Sequence, residues 1–600
     1  MAEETVVVQT STAVGRAALP APLRQTCIGS ALAILIGLVV APPLLAALTT
    51  QGLPQFYLVR QDTVWLAVTV ALLLALAGLR LPVRRLAALP PPDAGPTAWI
   101  AAALVVMIAA AGTFLALRGF ALSRDEMMAD FDATILRTGR LVAALPPDFR
   151  ALRDALIPEF LLPVPGGAFW VSSYLPGNAG LRAAVGLVVD PGWTSPVLAG
   201  LAVLALWRCG RRLWPDRPDA TVVAVLLLAG STQVLVTAMT AFAMTAHLAL
   251  NLAWLALYLR DDRRGHCGAV AVGALACGLH QVVFHPLFVA PFVLHLLMRR
   301  RFRLALLYIA AYGVICLFWI AYWRLVLQAE GAGGAAAQVG ADWFATRVLQ
   351  LLADFSLGGL ALMIANALRF VAWQHLLLLP LATLAWGAIR RDEGIARPLA
   401  GGIVLTLLAV FVLLPYQGHG WGYRYLHGLI GNACLLAGYG WIAATARADA
   451  GERAAAAVAV GLAATLAILV MLPARIAQAV QMMAPYRAAM AAIAATPADI
   501  VMVDRGGLAF GHDLVRNDPF LRNRPLVLDL GAVDAAHLTA LCSRHTVAVL
   551  DRRQGRALGI MADETSDPGG DRDRAARRDQ MRLLGCGTDL PIAGDAKTVR

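Results

Sequence analysis

Four carboxylates fall within eight residues, at Asp125, Glu126, Asp130 and Asp132 (ALSRDEMMADFD, 121–132), just beyond an apolar run at 98–116. A carboxylate at a membrane exit is held at a fixed depth. Partial loss of water there raises its pKa toward the range in which it can take a proton from a hydroxyl. In a helix, Asp125 and Asp132 share one face, and Glu126 and Asp130 share the neighbouring one. The same residues also suit an ordinary helix start, with Ser123 as cap and acids in the first turn. The position at a span exit favours the chemical reading, because ionisable groups at that depth are functional candidates.

A second constellation is PYQGHGWGYRYLHG at 415–428. Arg424 near an apolar boundary needs an anion, and the planar fork of its guanidinium suits a phosphate. His419 and His427 add donors. Trp421, Tyr423 and Tyr425 suit either stacking on a sugar or an interfacial aromatic belt. His280, Gln281 and His285 (GLHQVVFHP) lie in a polar break between two apolar runs, where they can face the same space as Asp125. His247 and Asn251, inside an apolar run, read as helix-to-helix hydrogen-bond partners. Arg347 and Arg369 are weaker phosphate ligands, and Trp170, Ser172, Ser173, Tyr174 and Asn178 are candidates for lining a groove.

The elements that carry these residues are membrane spans. The 600-residue chain is 59% hydrophobic and only 15% charged, far too apolar for a soluble chain of this size. Runs near 27–48, 62–79, 98–117, 194–208, 219–238, 241–259, 267–281, 284–298, 304–325, 373–389, 398–415, 426–446 and 454–473 have roughly the length that crosses a bilayer core. A further run at 357–371 reads as a re-entrant or interfacial helix. The segment 1–26 lacks a cleavable leader pattern, and Arg16 and Arg24 precede the first run, which reads as an uncleaved helix.

With the N-terminus inside, every arginine cluster falls in a cytoplasmic loop: Arg80/Arg84/Arg85, Arg208/Arg211/Arg212, Arg260/Arg263/Arg264, 299–303, Arg390/Arg391/Arg397 and Arg447/Arg453. The net charge of +12 therefore reflects topology, and no nucleic-acid partner is expected. The same count places 118–193, 328–373 and everything from about 474 outside. The tail alternates short β-type apolar runs (500–504, 525–530, 546–551) with helix-compatible stretches, as in a small α/β domain; 562–580 reads as a mobile polar loop. Two domains are expected: 1–473, spanning and including the loop 118–193, and 474–600. Cys542 and Cys586 are the two cysteines of the polar tail, and the sequence leaves their pairing open. There is no phosphate-binding glycine loop and no zinc spacing.

Together, the many spans, the large first outer loop opening with Asp125-Glu126, the cytoplasmic arginines and the outer tail resemble the GT-C superfamily of membrane glycosyltransferases. The bacterial aminoarabinose and mannose transferases that use polyprenyl-phosphate sugars are the nearest comparison. The resemblance covers the span pattern over most of 98–473. It implies a polytopic helical fold of about 13 transmembrane helices in the bacterial inner membrane, with the C-terminal α/β domain periplasmic. It further implies a polyprenyl-phosphate sugar donor, a lipid, glycan or protein acceptor, an inverting transfer on the outer face, and catalytic roles for Asp125 and its neighbour Glu126. No cofactor is required, although Asp125 with Asp130 or Asp132 offers hard oxygen ligands to a magnesium or manganese ion. Two departures stand out: two runs precede the one leading into the acidic loop, and no lysine is available for phosphate, since the single lysine is Lys597. The alternatives are a secondary transporter, whose internal repeat and midplane ionisable groups are not found, and an O-antigen polymerase-like or flippase-like protein.

Overall fold

The computed structural model describes residues 16–50, 52–83, 93–156, 160–162, 164–332, 349, 357–563 and 568–590. Each of the thirteen apolar runs falls on helix. Seven helices among the described residues are long and apolar enough to cross a bilayer, and four shorter apolar helices accompany them. Their environments differ sharply. In Phe302–Ala329 only 17% of the most apolar window is buried, leaving a lipid-facing surface, whereas in Arg424–Thr445 the figure is 83%, so this helix is the hub of the bundle. The run at 357–371 is an ordinary helix, Leu357–Ala372, packed on the first one, Ala21–Leu48.

Two runs are broken where the sequence supplies a reason. The run at 219–238 becomes Pro218–Ala229 and Thr232–Thr237, because Ser231 caps the second piece by accepting from Val234 N. The run at 373–389 likewise splits into Leu378–Leu384 and Trp386–Arg391. The last run instead continues without interruption as Ala450–Ala495, and strand Ile500–Val503 follows it.

That strand is inside a four-stranded parallel sheet, flanked by Leu526–Asp529 on one side and by Val547–Leu550 and then Thr588–Asp589 on the other. The three longer strands are fully buried, which is why they read as unbroken apolar runs. The stretch expected as a loop at 562–580 is corrected: Pro568–Leu583 is a helix. Ion pairs Arg574–Asp571 and Arg582–Asp579, one turn apart, support it. Met581 also anchors it in the core at 2% exposure. A disulfide joins Cys542 to Cys586 across 44 residues.

The segment 118–193 and this C-terminal domain share one hydrophobic core. Met128, Phe131 and Ile135 of the acidic helix pack with Leu526, Leu528 and Leu530. Trp170, on a two-residue β-hairpin strand of that segment, donates its indole N–H to the Pro519 carbonyl at 2.8 Å. The acidic segment is thereby clamped between the bundle and the sheet domain.

Candidate active site

Helix Arg124–Leu136 carries the carboxylates. Its first turn is fixed from both sides. Glu126, at 1% exposure, turns back and accepts from the backbone N–H groups of Leu122 and Ser123 at 3.2 and 3.4 Å. Arg124 donates to the carbonyls of Val515 (2.9 Å) and His512, which ties the helix start to the C-terminal domain. With its neighbours so held, Asp125 has one direction left.

It points into a cavity of about 390 Å³. There one carboxylate oxygen of Asp125 meets Nη1 of Arg424 at 2.5 Å, and the other accepts from the Tyr174 hydroxyl. Tyr174 in turn stacks on the His280 ring, with centroids 4.3 Å apart. The guanidinium of Arg424 is clamped: its Nε and Nη2 donate to the Gln417 carbonyl at 3.1 and 2.6 Å, and Phe242 and Tyr425 flank it at 5.4 and 5.7 Å. The loop that presents Arg424 needs glycine at 422, where φ is +66° and an added Cβ would sit 2.5 Å from the Gln233 side-chain oxygen.

The electrostatics correct one expectation. Burial alone raises the Asp125 carboxyl, but the Arg424 guanidinium, with His280 and the Tyr174 hydroxyl assisting, holds it below the usual carboxylate range. Asp125 is therefore ionised and paired in this state, not poised near neutrality. Burial does dominate at two neighbours. Glu126 is pushed up to about 7 in spite of its backbone donors, and Asp132 to about 7 with the Ser172 hydroxyl opposing.

The faces of the acidic helix divide as its periodicity dictates. Asp125 and Asp132 border one small hollow, while Glu126 and Asp130 line a separate cavity of about 650 Å³. Glu126 is thus a cap facing away from Asp125's cavity, which corrects its place beside Asp125 in the chemistry. Asp130 is bound to Arg182 at 2.6 Å on that other side.

Of the remaining candidates, Arg424, Tyr425, His419 and His280 line the cavity with Asp125. Tyr423, His427 and His285 do not. Tyr423 is fully buried, its hydroxyl directed to the Met363 sulfur, and His427 is sealed in the bundle. His285 lies on the helix, a turn beyond the polar break, and bonds Asn251 and Tyr312 at 2.7 Å each. Of the groove candidates, Tyr174 reaches the cavity, whereas Trp170 and Asn178 serve packing. Arg347 lies outside the described residues. Arg369 is buried against Asp62 and reaches the site only indirectly, by donating to the Gly420 carbonyl at 2.8 Å.

Several site residues had no signal in the sequence. Phe510, His512 and Asp513 of the C-terminal domain close one wall of the cavity. Their only hint is the glycine-rich, polar segment RGGLAFGHD that follows a β-type run. Gln417, the clamp for Arg424, had none.

Of the two partners offered to Asp125 for a divalent cation, Asp130 lines a different cavity, whereas Asp132 borders the same small hollow. Asp125's oxygens are taken by Arg424 and Tyr174. Among the described residues no cluster of three or more His, Cys, Asp or Glu is placed to hold a metal.

No family model matches the chain, and no curated protein matches it. Among solved structures, the chain is similar to ArnT from Cupriavidus metallidurans in the apo state, with 14% identity and a TM-score of 0.47 over 77% of this chain and 93% of that one. It is also similar to the same protein bound to undecaprenyl phosphate, with 12% identity and a TM-score of 0.46 over 82% of this chain and 90% of that one.

Proposed function

We propose that this polytopic membrane protein is a glycosyltransferase that moves a sugar from a polyprenyl-phosphate donor to a lipid, glycan or protein acceptor. The observation that carries this reading is the meeting of Asp125 and Arg424, 299 residues apart, in one cavity that also holds a tyrosine and histidines. The pair supplies both halves of a transfer. Asp125 accepts the proton of the acceptor hydroxyl as its oxygen bonds to the anomeric carbon. The bond from that carbon to the phosphate oxygen breaks, its electron pair leaves with the polyprenyl phosphate, and Arg424 stabilises the charge that builds there. Attack opposite the leaving group inverts the anomeric centre. His419, His280 and Tyr425 are placed to orient sugar hydroxyls, and Tyr174 orients Asp125.

The outer face of the bacterial inner membrane suits the reaction. The positions of the arginine clusters support placing the loop 118–193 and the tail on that side, and a disulfide in the tail suits an oxidising compartment. A transport path through the bundle lacks such support: the buried charges Asp62, Arg369 and Arg475 are at 0–1% exposure and pair with one another, Asp62 lying 3.4 Å from Arg369 and 2.8 Å from Arg475.

The test is sugar transfer from a radiolabelled polyprenyl-phosphate donor in membranes expressing the wild type or Asp125→Asn. Transfer by the wild type and its loss in the variant support the reading. Equal turnover by both would sink the role of Asp125, and no transfer by either would return the protein to the other classes.

A further inference from the structure

The ion pair that defines the site also blocks it. Two guanidiniums line the cavity among the described residues, those of Arg124 and Arg424. Arg124 is committed to the C-terminal carbonyls and lies 3.8 Å from Asp513. Arg424 has its Nε and Nη2 edge on the Gln417 carbonyl, and its Nη1 is on Asp125. An incoming phosphate therefore meets a cation whose Nη1 is already taken by a carboxylate. Both partners are largely withdrawn from water, at 12% and 15% side-chain exposure, so the contact is not one that solvent would loosen freely.

We propose, building on the donor assigned above, that Asp125 and the lipid phosphate compete for Nη1 of Arg424, so that phosphate binding itself releases Asp125 to the acceptor. Charge accounting supports the coupling. The lining charges Asp125, Asp513, Arg124 and Arg424 sum to zero, so a bound phosphate leaves the cavity with an excess negative charge. Asp125, deprived of its guanidinium and placed beside that anion, becomes more basic. The proton of the acceptor hydroxyl then moves to Asp125, and the negative charge that Asp125 gives up reappears on the departing phosphate, so the net charge of the cavity does not change. In the resting state the same guanidinium keeps the carboxyl below its ordinary range, which makes it a poor base. The donor must therefore bind before the acceptor hydroxyl can be activated, and a bound acceptor without donor leaves Asp125 latched. As the sugar–phosphate bond breaks, charge on the leaving phosphate grows and strengthens its hold on Nη1 of Arg424 at the expense of Asp125. The proton acceptor is thus strongest when the proton must move.

The clamp on the guanidinium makes this an exchange and not a loose rearrangement. Gln417 and the rings of Phe242 and Tyr425 keep the guanidinium plane in place, so only the partner of Nη1 needs to change. Removing a site carboxylate should then strengthen phosphate binding, the opposite of what loss of a ligand-contacting group does.

The experiment measures binding of a polyprenyl monophosphate to the purified full-length protein in nanodiscs, with the phosphate-free polyprenol as control. A latch closed about nine-tenths of the time masks a tenfold affinity, so Asp125→Asn should bind about tenfold tighter than wild type. Asp125→Ala should shift the same way, which guards against a peculiarity of the amide. Arg424→Ala should lose most binding, and Asp125→Asn combined with Arg424→Ala should bind no tighter than Arg424→Ala alone. Polyprenol should bind all variants alike. Unchanged or weaker phosphate binding by both Asp125 variants overturns the latch while leaving the donor assignment intact. Tightening that persists without Arg424 also overturns it, because the effect is then bulk charge. No phosphate binding by the wild type removes the donor assignment, and the latch with it.

Discussion

Asp62 and Asp125 are both carboxylates on guanidiniums, yet they sit in opposite environments. Asp62 is fully buried in the bundle, held by Arg475 at 2.8 Å, by Arg369 at 3.4 Å and by the Trp373 indole at 2.9 Å. Arg475 also lies over the Trp373 ring at 4.1 Å and donates to the Ala372 carbonyl. Asp125 has one guanidinium, keeps 15% side-chain exposure, and borders a cavity. The same pair of groups is thus a fixed structural joint in one place and an exchangeable contact in the other. What differs is access. A sealed pair can only be broken at the full desolvation cost of its partners, whereas a pair beside a cavity can trade one anion for another. The two regions are also connected: Arg369 stacks on Tyr57 at 4.2 Å and donates to the Gly420 carbonyl, and Tyr57 bonds His419 at 2.5 Å. The joint at Asp62 therefore holds the loop on which Arg424 is presented.

The contrast breaks first on Asp125. Asp125→Asn is expected to lower sugar transfer by about 10²–10⁴-fold, the usual worth of a positioned proton acceptor, while melting in detergent falls far less than transfer does. Asp62→Ala should do the reverse. Removing one partner from a buried ion cluster costs roughly 3–5 kcal/mol, so the folded yield should collapse, and whatever folds should lose far less kcat than Asp125→Asn does. If Asp62→Ala melts like wild type and Asp125→Asn does not, the two roles have been assigned to the wrong regions.

Arg424→Lys sharpens the comparison at the site. The charge survives, but the fork that grips Gln417 and offers Nη1 is lost. Loss of hydrogen bonds to charged groups predicts donor affinity about ten- to a hundredfold weaker in a binding isotherm. Equal affinity would show that only the charge matters.

A smaller effect separates the acids of one helix by pH. Glu126 is raised from 4.5 and Asp132 from 3.8, each to about 7. Between those values the folded protein still holds protons that the unfolded chain has released, so stability should decline as pH rises from about 4 to about 7 and then level off. Asp125 works the other way: its contribution is complete above its unfolded pKa and is lost only as pH falls through its depressed folded value. A melting series across this window should flatten in Glu126→Gln combined with Asp132→Asn. The smallest change is expected for Glu126→Gln alone in the transfer assay. Glutamine still caps at this position, so transfer should stay within about threefold, equivalent to about 0.6 kcal/mol of activation free energy.

Much of this was visible in the chain itself. Apolar runs marked every span, because crossing hydrocarbon demands about twenty apolar residues and internally satisfied backbone. The buried parallel strands stood out for the same kind of reason, as unbroken apolar runs. The split of the acidic helix into an Asp125/Asp132 face and a Glu126/Asp130 face followed from helical periodicity alone. Asp62 also carried a signal, as an ionisable residue at the edge of an apolar run, and Arg475 as one just past another. Nothing local indicates that two such residues face one another, so neither stands out as half of a pair.

What periodicity cannot carry is which distant side chains meet. His280 and His285 are five residues apart and look alike in sequence, yet the first lies in the non-helical break and lines the cavity, whereas the second lies in the first turn of Phe284–Met298 and bonds Asn251 and Tyr312. The depressed carboxyl at Asp125 could not be read from its neighbours, because the guanidinium that depresses it lies 299 residues away. The wall made by Phe510, His512 and Asp513 exists only because Arg124 and the shared core seat the C-terminal domain on the acidic helix. Local pattern sets which face of an element is apolar and where it begins. The charge state of a site depends on groups within a few ångströms, and those are brought together only by packing across the whole chain.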